Sequence, residues 1–274
     1  MSHQGADNKR LEETLRCVDK KIVVLSGKGG VGKSTVAVNL AVGLALQGYK
    51  TGLLDTDLHG PSVPKMLGLE SFASSGDETH LEPAVQYNGL LKIMSVQFLL
   101  QNVNDSIIWR GPLKHAVISQ FIGHTVWGEL DYLIIDSPPG TGDEPLSVVQ
   151  TAKPDGAVIV TTPQDVATFD VRKSIDFCNK LDLPLIGVVE NMSGFVCPHC
   201  KEETPIFGSG GGKRMAEELG IVFLGAIPID PLFVSNSDKG RPLVDFKSPT
   251  RTQEAVSEII NKIKPYSKTG MVTQ

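Results

Sequence analysis

Nine residues constrain this chain more than any others: Gly27-Lys28-Gly29-Gly30-Val31-Gly32-Lys33-Ser34-Thr35, which follow the apolar run Ile22 to Leu25 and open a helical pattern from Lys33 to Gln47. They fit GxxxxGK[ST] in the order strand, loop, helix that the motif requires. Glycines let such a loop wrap around a polyphosphate with its N–H groups pointing inward, and the helix that follows presents its positive end to the same anion. Lys33 is then placed to neutralise the β and γ phosphates. The Ser34 hydroxyl goes to Mg²⁺ and Thr35 reaches the α phosphate, so the expected ligands are ATP and Mg²⁺.

The rest of the chain has the pattern that such a loop needs around it. Short apolar runs recur at Thr51 to Leu54, Leu91 to Val96, Tyr132 to Ile135, Ala157 to Val160, Leu185 to Val189 and Val222 to Ala226. Most are apolar on both faces, as buried parallel strands are. Helical patterns lie between them: Leu113 to Ile122, Val166 to Leu181, Lys213 to Leu219 and about Thr250 to Lys262. Alternation of this kind predicts one doubly wound α/β domain with a mostly parallel sheet and helices on both faces. Residues 21–264 form that domain, with 1–20 a tail or short helix and 265–274 a tail. Glu70 to Asn88 is polar and aperiodic and reads as a mobile loop. Gly194 to Gly212 reads as an insertion between a strand and a helix, and such insertions are more often functional than accidental.

Three acidic residues at the ends of two strands complete the phosphate site. Tyr132-Leu133-Ile134-Ile135-Asp136 is an apolar strand ending in a carboxylate that holds Mg²⁺. Ser137-Pro138-Pro139-Gly140 follows, a stiff turn with a glycine whose N–H is placed to sense a γ phosphate. Asp55 and Asp57 end the second strand at the same carboxyl edge, where open α/β sheets bind ligands. One orients the attacking water, for which Asp57 is the candidate, and Asp55 helps to organise the metal.

Composition excludes several classes. Net charge is −5 with a pI near 5.7, so no global positive field draws the chain to nucleic acid or anionic lipid. No apolar run approaches the length of a membrane span, and the polar start MSHQGADNKRLEETLRCVDKK has no signal-peptide core, which predicts a cytoplasmic protein. Four cysteines are too few for a disulfide framework.

Cys197 and Cys200 stand at CxxC spacing in Phe195-Val196-Cys197-Pro198-His199-Cys200-Lys201. A redox dithiol, half a zinc site and half an iron-sulfur site compete. A redox pair normally opens a helix after the first strand of its own βαβ unit, and this pair lies far downstream of a phosphate loop. Metal sites of either kind want four ligands. A twofold axis makes up the shortage, because it brings two CxxC pairs together as Cys₄. His199 reads as a surface histidine and Pro198 as a stiffener of the loop.

Lys28, the second residue of the loop, makes KGGVGKST resemble the deviant Walker A class that includes nitrogenase iron protein, MinD, ParA and ArsA. That resemblance implies a nucleotide-sandwich homodimer in which Lys28 crosses to the partner's nucleotide. The CxxC pair after Glu190-Asn191-Met192-Ser193-Gly194, with the Asp55-Thr56-Asp57 and DSPPGTGDE motifs, resembles one branch of the class, the Mrp/ApbC iron-sulfur cluster carriers. The likeness spans residues 20–264. It implies a [4Fe-4S] cluster bridged between two subunits by Cys197 and Cys200, zinc being the alternative ion, with apo iron-sulfur proteins as recipients. It also places Asn191, Pro228 and Asp230 around the adenine. Family members with a second, N-terminal cluster carry four cysteines there, whereas this chain has only Cys17 before its first strand.

Two other functions compete with this one. A MinD- or ParA-like regulator needs a basic amphipathic C-terminal helix or a positive face, and neither Thr250 to Lys264 nor SKTGMVTQ supplies one. A reductase like nitrogenase iron protein needs a permanent cluster, and paired cysteines on one exposed loop suit a releasable cluster better.

Overall fold

The computed structural model describes residues 3–57, 60–77, 80–99, 111–197, 199–200, 202–237, 239–242 and 250–265. The stiffening role assigned to Pro198 and the tail from 266 onward lie outside them. In chain order the elements are α1 (His3–Arg16), β1 (Val18–Leu25), α2 (Lys33–Leu46), β2 (Thr51–Asp55), α3 (Val63–Met66), β3 (Gly76–Asp77), β4 (His80–Leu81), β5 (Ala84–Gln86), β6 (Leu91–Ser95), α4 (Gly111–His124), β7 (Leu130–Asp136), α5 (Asp143–Ala152), β8 (Gly156–Thr161), α6 (Asp165–Lys180), β9 (Leu185–Val196), β10 (Glu203–Thr204), α7 (Gly211–Glu218), β11 (Phe223–Ile229), α8 (Pro231–Ser237) and α9 (Arg251–Ile263).

Each expected strand is present, because a run that is apolar on both faces has nowhere to go but the middle of a covered sheet. The sheet runs β10-β9-β8-β1-β7-β2-β6-β5, with β11 also paired to β9. The pairs β1–β7, β1–β8, β2–β7, β2–β6, β8–β9 and β9–β11 are all parallel. β7 therefore lies between β1 and β2, although it follows both in sequence. The order reverses there, and the crevice it leaves at the carboxyl ends of the strands is where an α/β sheet takes its ligand.

α2 packs against the strands on one side and α9 on the other. Its residues from Val36 to Ala45 are all buried and, Asn39 apart, non-polar, so it is covered around its whole girth. α9 starts with a capping box: Thr250 accepts from Gln253 N, and the Gln253 side chain accepts from Thr250 N.

Of the two readings of the N-terminal residues the helix is the one observed, and two other expectations change. The N-terminal residues form a helix, α1, which packs on α4 through Leu11 and Leu15. Its Thr14 hydroxyl donates to the Gly123 carbonyl at 3.3 Å. Glu70 to Asn88 is not wholly irregular. Gly76–Asp77 pairs with His80–Leu81, and Ala84–Gln86 adds to the sheet as an antiparallel edge strand on β6. The expected loop after Val189 likewise begins as strand, since β9 continues to Val196 and β10 turns back along it.

Candidate phosphate site and cysteine hairpin

The phosphate loop joins the end of β1 to the start of α2 at the crevice. Gly32 holds φ +81, and a Cβ there would lie 2.1 Å from Asn191 Nδ2, so both conformation and space demand glycine. Gly27 is pressed from the other side, where a Cβ would lie 2.4 Å from the Asp170 carbonyl of α6. Gly30 also holds a positive φ, and Gly29 and Val31 complete the turn. Two clamps fix the loop: Ser26 Oγ donates to the Lys28 carbonyl at 2.9 Å, and Asn191 Nδ2 donates to the Val31 carbonyl at 2.9 Å.

Beneath the loop lie two carboxylates and one cation. Asp55 and Asp136 are register partners on adjacent parallel strands, both with no exposed surface. Lys33 Nζ donates to Asp136 Oδ1 and lies 3.3 Å from Ser34 Oγ. Asp55 accepts from Asp57 N at 3.2 Å and from Ser95 Oγ at 3.0 Å. The Asp136 carbonyl accepts from Thr56 N and Oγ1, which ties the end of β7 to the acidic turn after β2.

Burial raises the Asp55 carboxyl from an ordinary 3.8 to about 8; the Asp136 charge adds to this, and the Lys33 ammonium opposes it. Burial pushes Asp136 up as well, while Lys33 and the Ser34 hydroxyl draw it back. One lysine thus serves two enclosed acids, and Asp136 Oδ2 has no hydrogen-bond partner among the described residues. An orphaned carboxylate oxygen, a second carboxylate and a nearby hydroxyl form an all-oxygen donor set of the kind that hard divalent cations take, so the residues present fit Mg²⁺.

Asp57 sits at the rim, half-buried, and its Oδ1 accepts from Gly60 N at 3.2 Å. Lys28 and Thr35 are also half-buried beside the opening. One expected contact is arranged differently. The Gly140 N–H donates to the Ser26 carbonyl at 2.8 Å instead of pointing toward a phosphate, because the turn after β7 folds back against the loop.

A cavity of about 400 Å³ continues from Gly32 and Thr35 into the space between α2, β11 and α9. Asn191, Pro228 and Asp230 all line it, so the three residues expected around a base are gathered there. Asp230 is committed to the fold, since Oδ1 accepts from Leu232 N at 2.9 Å and Oδ2 from Thr252 Oγ1 at 3.1 Å. Asn191 serves both the cavity and the loop clamp.

The cysteines stand at the tip of a β-hairpin. Phe195 pairs with Thr204 and Val196 with Glu203, and Cys197 N donates to the Glu202 carbonyl at 3.0 Å. Cys197 is half-buried, while Cys200 and His199 are exposed. The Cys200 Sγ lies 3.8 Å from a Glu202 carboxylate oxygen. Among the described residues no group of three or more His, Cys, Asp or Glu comes together as a metal site. Cys178 is buried in α6 and its thiol is pushed up to about 12 by burial, and Cys17 sits between α1 and β1.

A family model described as a ParA-type, NUBPL iron-transfer P-loop NTPase matches residues 17–264. The chain belongs to this family. The iron-sulfur cluster carrier protein of Methanocaldococcus jannaschii is 49% identical over 258 residues, which are 93% of this chain and 89% of its own length. The cytosolic Fe-S cluster assembly factor CFD1 of Saccharomyces cerevisiae is 48% identical over 261 residues, covering 92% and 89%. Among solved structures, a nucleotide-binding protein of Archaeoglobus fulgidus in complex with ADP superposes with a TM-score of 0.77 at 42% identity, covering 89% of this chain and 98% of that one. The cell-division ATPase MinD of Pyrococcus furiosus shares the fold with a TM-score of 0.66 at 22% identity, covering 90% and 99%.

In this NUBPL-type NTPase one residue that sequence reasoning passed over does much of the positioning. Glu190, with no exposed surface, accepts from Ser193 Oγ, Gly210 N and Gly212 N. It closes the neck of the excursion that carries the cysteines and offsets the unpaired N–H groups at the start of α7. The signal was present in the sequence: a carboxylate ends an apolar strand, with a GSGGG run rich in backbone donors twenty residues on.

Proposed function

We propose that this chain is an ATP-hydrolysing carrier that holds a [4Fe-4S] cluster between two copies of itself and hands it to apo iron-sulfur proteins. The observation that carries the reading is the placement of the CxxC pair. Two thiols, one half-buried and one exposed, stand at the end of a strand whose root clamps the phosphate loop, in a chain about half identical to proteins named as cluster carriers. One copy offers two thiolates where a cubane cluster takes four. A symmetric pair supplies the rest.

The phosphate site explains how ATP enters. Gly27 to Thr35 cradle the phosphates with backbone N–H groups, and Lys33 turns from Asp136 to the β and γ oxygens. Asp136 then loses its only cation, and with Asp55 and Ser34 it would hold Mg²⁺. The chemistry such an ion supplies is neutralisation of charge on the β and γ oxygens. Lys28 reaches the nucleotide of the second copy, where a further cation stabilises developing charge. Asp57 at the rim orients the attacking water. Hydrolysis is slow without a recipient, because the residues at hand supply only positioning and charge. In single-turnover measurements Asp57→Ala slows hydrolysis, and an unchanged rate removes that role. The names of relatives as cytosolic assembly factors support a cytosolic location.

Anaerobic reconstitution with iron and sulfide tests the reading. The expected result is a dimer with about two irons per chain and broad absorption near roughly 400 nm, both lost in Cys197→Ser. A strictly monomeric protein that keeps all its iron, or a Cys197→Ser variant that keeps it, overturns the reading. Zinc at one ion per dimer assigns the same cage to a different metal.

A further inference from the structure

The cysteine hairpin has two feet, and both stand in the wall of the base cavity. On the ingoing side, β9 leaves the loop clamp at Asn191 and passes Met192, which lines the cavity. On the outgoing side, the chain leaves β10 and passes Phe207, which lines the same cavity and is 44% exposed. Glu190 draws the two sides together by accepting from Gly210 and Gly212. Everything between, including both cysteines, is an excursion that crosses the cavity wall twice.

The backbone at the first foot is held in an unusual conformation. Met192 has φ +59, a region that residues other than glycine seldom occupy. Asn191 pairs with Ile227 of β11 and Phe195 with Ile229, so β9 carries two more residues than β11 between those pairs. Met192, Ser193 and Gly194, the last at φ +77, take up this excess as a bulge. Strain of this kind persists where its surroundings hold it, and it gathers at sites that switch. At the second foot Gly208, at φ +87, donates to the Pro205 carbonyl, a tight turn that leaves the Phe207 ring at the mouth of the cavity.

We propose that Met192 and Phe207 are positioning residues through which a purine base in the cavity fixes the cysteine hairpin, so that the thiols report whether the base is bound. The proposal rests on the nucleotide role given above and extends it to the hairpin. A flat base entering the cavity stacks on the exposed face of Phe207 and packs against the Met192 thioether. Both feet are then held at once. Phosphates alone fill the loop but leave the feet untouched, so the two halves of the nucleotide act differently.

The experiment uses the metal-free full chain and compares no ligand, saturating Mg-ADP and saturating Mg-pyrophosphate. ADP lacks the γ phosphate, so no hydrolysis accompanies the comparison. Alkylation of Cys197 and Cys200 by iodoacetamide is followed by peptide mass spectrometry. ADP is expected to slow the pair by at least about five-fold, and pyrophosphate by less than about two-fold. In Phe207→Ala and Met192→Gly the ADP effect, measured at saturation in each variant, falls below about two-fold, while Phe207→Leu retains most of it. A merely structural role changes the rates with and without ADP alike and leaves their ratio untouched.

Pyrophosphate protecting as well as ADP overturns the proposal, as does full protection in Phe207→Ala or no ADP effect in the parent. No cluster is present, so these outcomes are independent of iron binding. Loss of the carrier reading leaves this coupling standing, and loss of the coupling leaves the carrier reading standing.

Discussion

Asp55, Asp136 and Lys33 are enclosed beneath the phosphate loop, whereas Cys200, His199 and Glu202 stand in solvent at the hairpin tip, although Asp55 and Asp136 end parallel strands and the tip follows the end of another. Each group is incomplete in its own way. The floor lacks positive charge, because two buried carboxylates share one lysine. The tip lacks ligands, because two thiols do not complete a cage. A charge deficit inside a protein is felt by the fold, since the interior screens poorly. A ligand deficit at a hairpin tip costs the single chain little, since water serves the unused groups. Substitutions in the floor should therefore move stability and function together, and substitutions at the tip should separate them.

Lys33→Met should have the largest effect. It leaves Asp136 without its cation, and breaking a buried pair from one side costs about 3–5 kcal/mol. Urea unfolding should show that loss, and ATP hydrolysis should disappear with it. A variant as stable as the parent would mean that the floor is wetter than its burial indicates.

Glu190→Ala comes next, and it probes the strut between the two regions. It leaves the N–H groups of Gly210 and Gly212 and the Ser193 hydroxyl without an acceptor, at about 1–3 kcal/mol for each group that water does not reach. The midpoint of urea unfolding should fall accordingly, and hydrogen exchange should rise at the start of α7 before it rises elsewhere.

Asp55→Asn sharpens the comparison through pH. The folded carboxyl titrates near 8, while the unfolded one titrates near its ordinary 3.8. Between those values the folded chain holds a proton that the unfolded chain has released, so this group's contribution is complete below about pH 4 and lost as pH rises through about 8. The slope is at most about 1.4 kcal/mol per pH unit. With Mg²⁺ chelated, unfolding measured from pH 5 to 8 should show the parent losing stability relative to Asp55→Asn, which keeps the amide in place of the acid. Parallel curves would mean that Asp55 is ionised throughout.

The same contrast explains what was legible in the sequence. Strand centres such as Ile134-Ile135 and Val158-Ile159 announce themselves because every residue is apolar, and the phosphate loop does so because glycine, lysine and hydroxyl fall at fixed offsets from a strand. Strand ends are less plain. β1 starts at Val18, through Asp19, Lys20 and Lys21, because Lys21 finds Asp155 at 3.0 Å and Lys20 reaches Tyr132 at 3.5 Å. Neither partner is local. β9 continues through Ser193 and Gly194, residues that read as a loop, because β10 and β11 pair with it from elsewhere in the chain. Asn191 was expected at the base, and its place in the cavity wall fits that; its hold on the Val31 carbonyl depends on a fold that brings residues 160 apart into contact. Local chemistry shows in the sequence, and closure between distant segments does not.

Cys200→Ser should have the smallest effect on stability and the sharpest effect on function. The side chain is exposed, and its thiol lies 3.8 Å from the Glu202 carboxylate, a distance at which a thiol donor contributes little. An exposed substitution of nearly equal shape should leave the unfolding free energy within about 0.5 kcal/mol of the parent. Serine offers no soft thiolate, so iron retained after reconstitution and desalting should fall to background while nucleotide affinity is unchanged. Measured together, the two numbers decide between kinds of hairpin. A stability loss comparable to that of Glu190→Ala would make the tip part of the folded core, and the contrast with the phosphate floor would disappear.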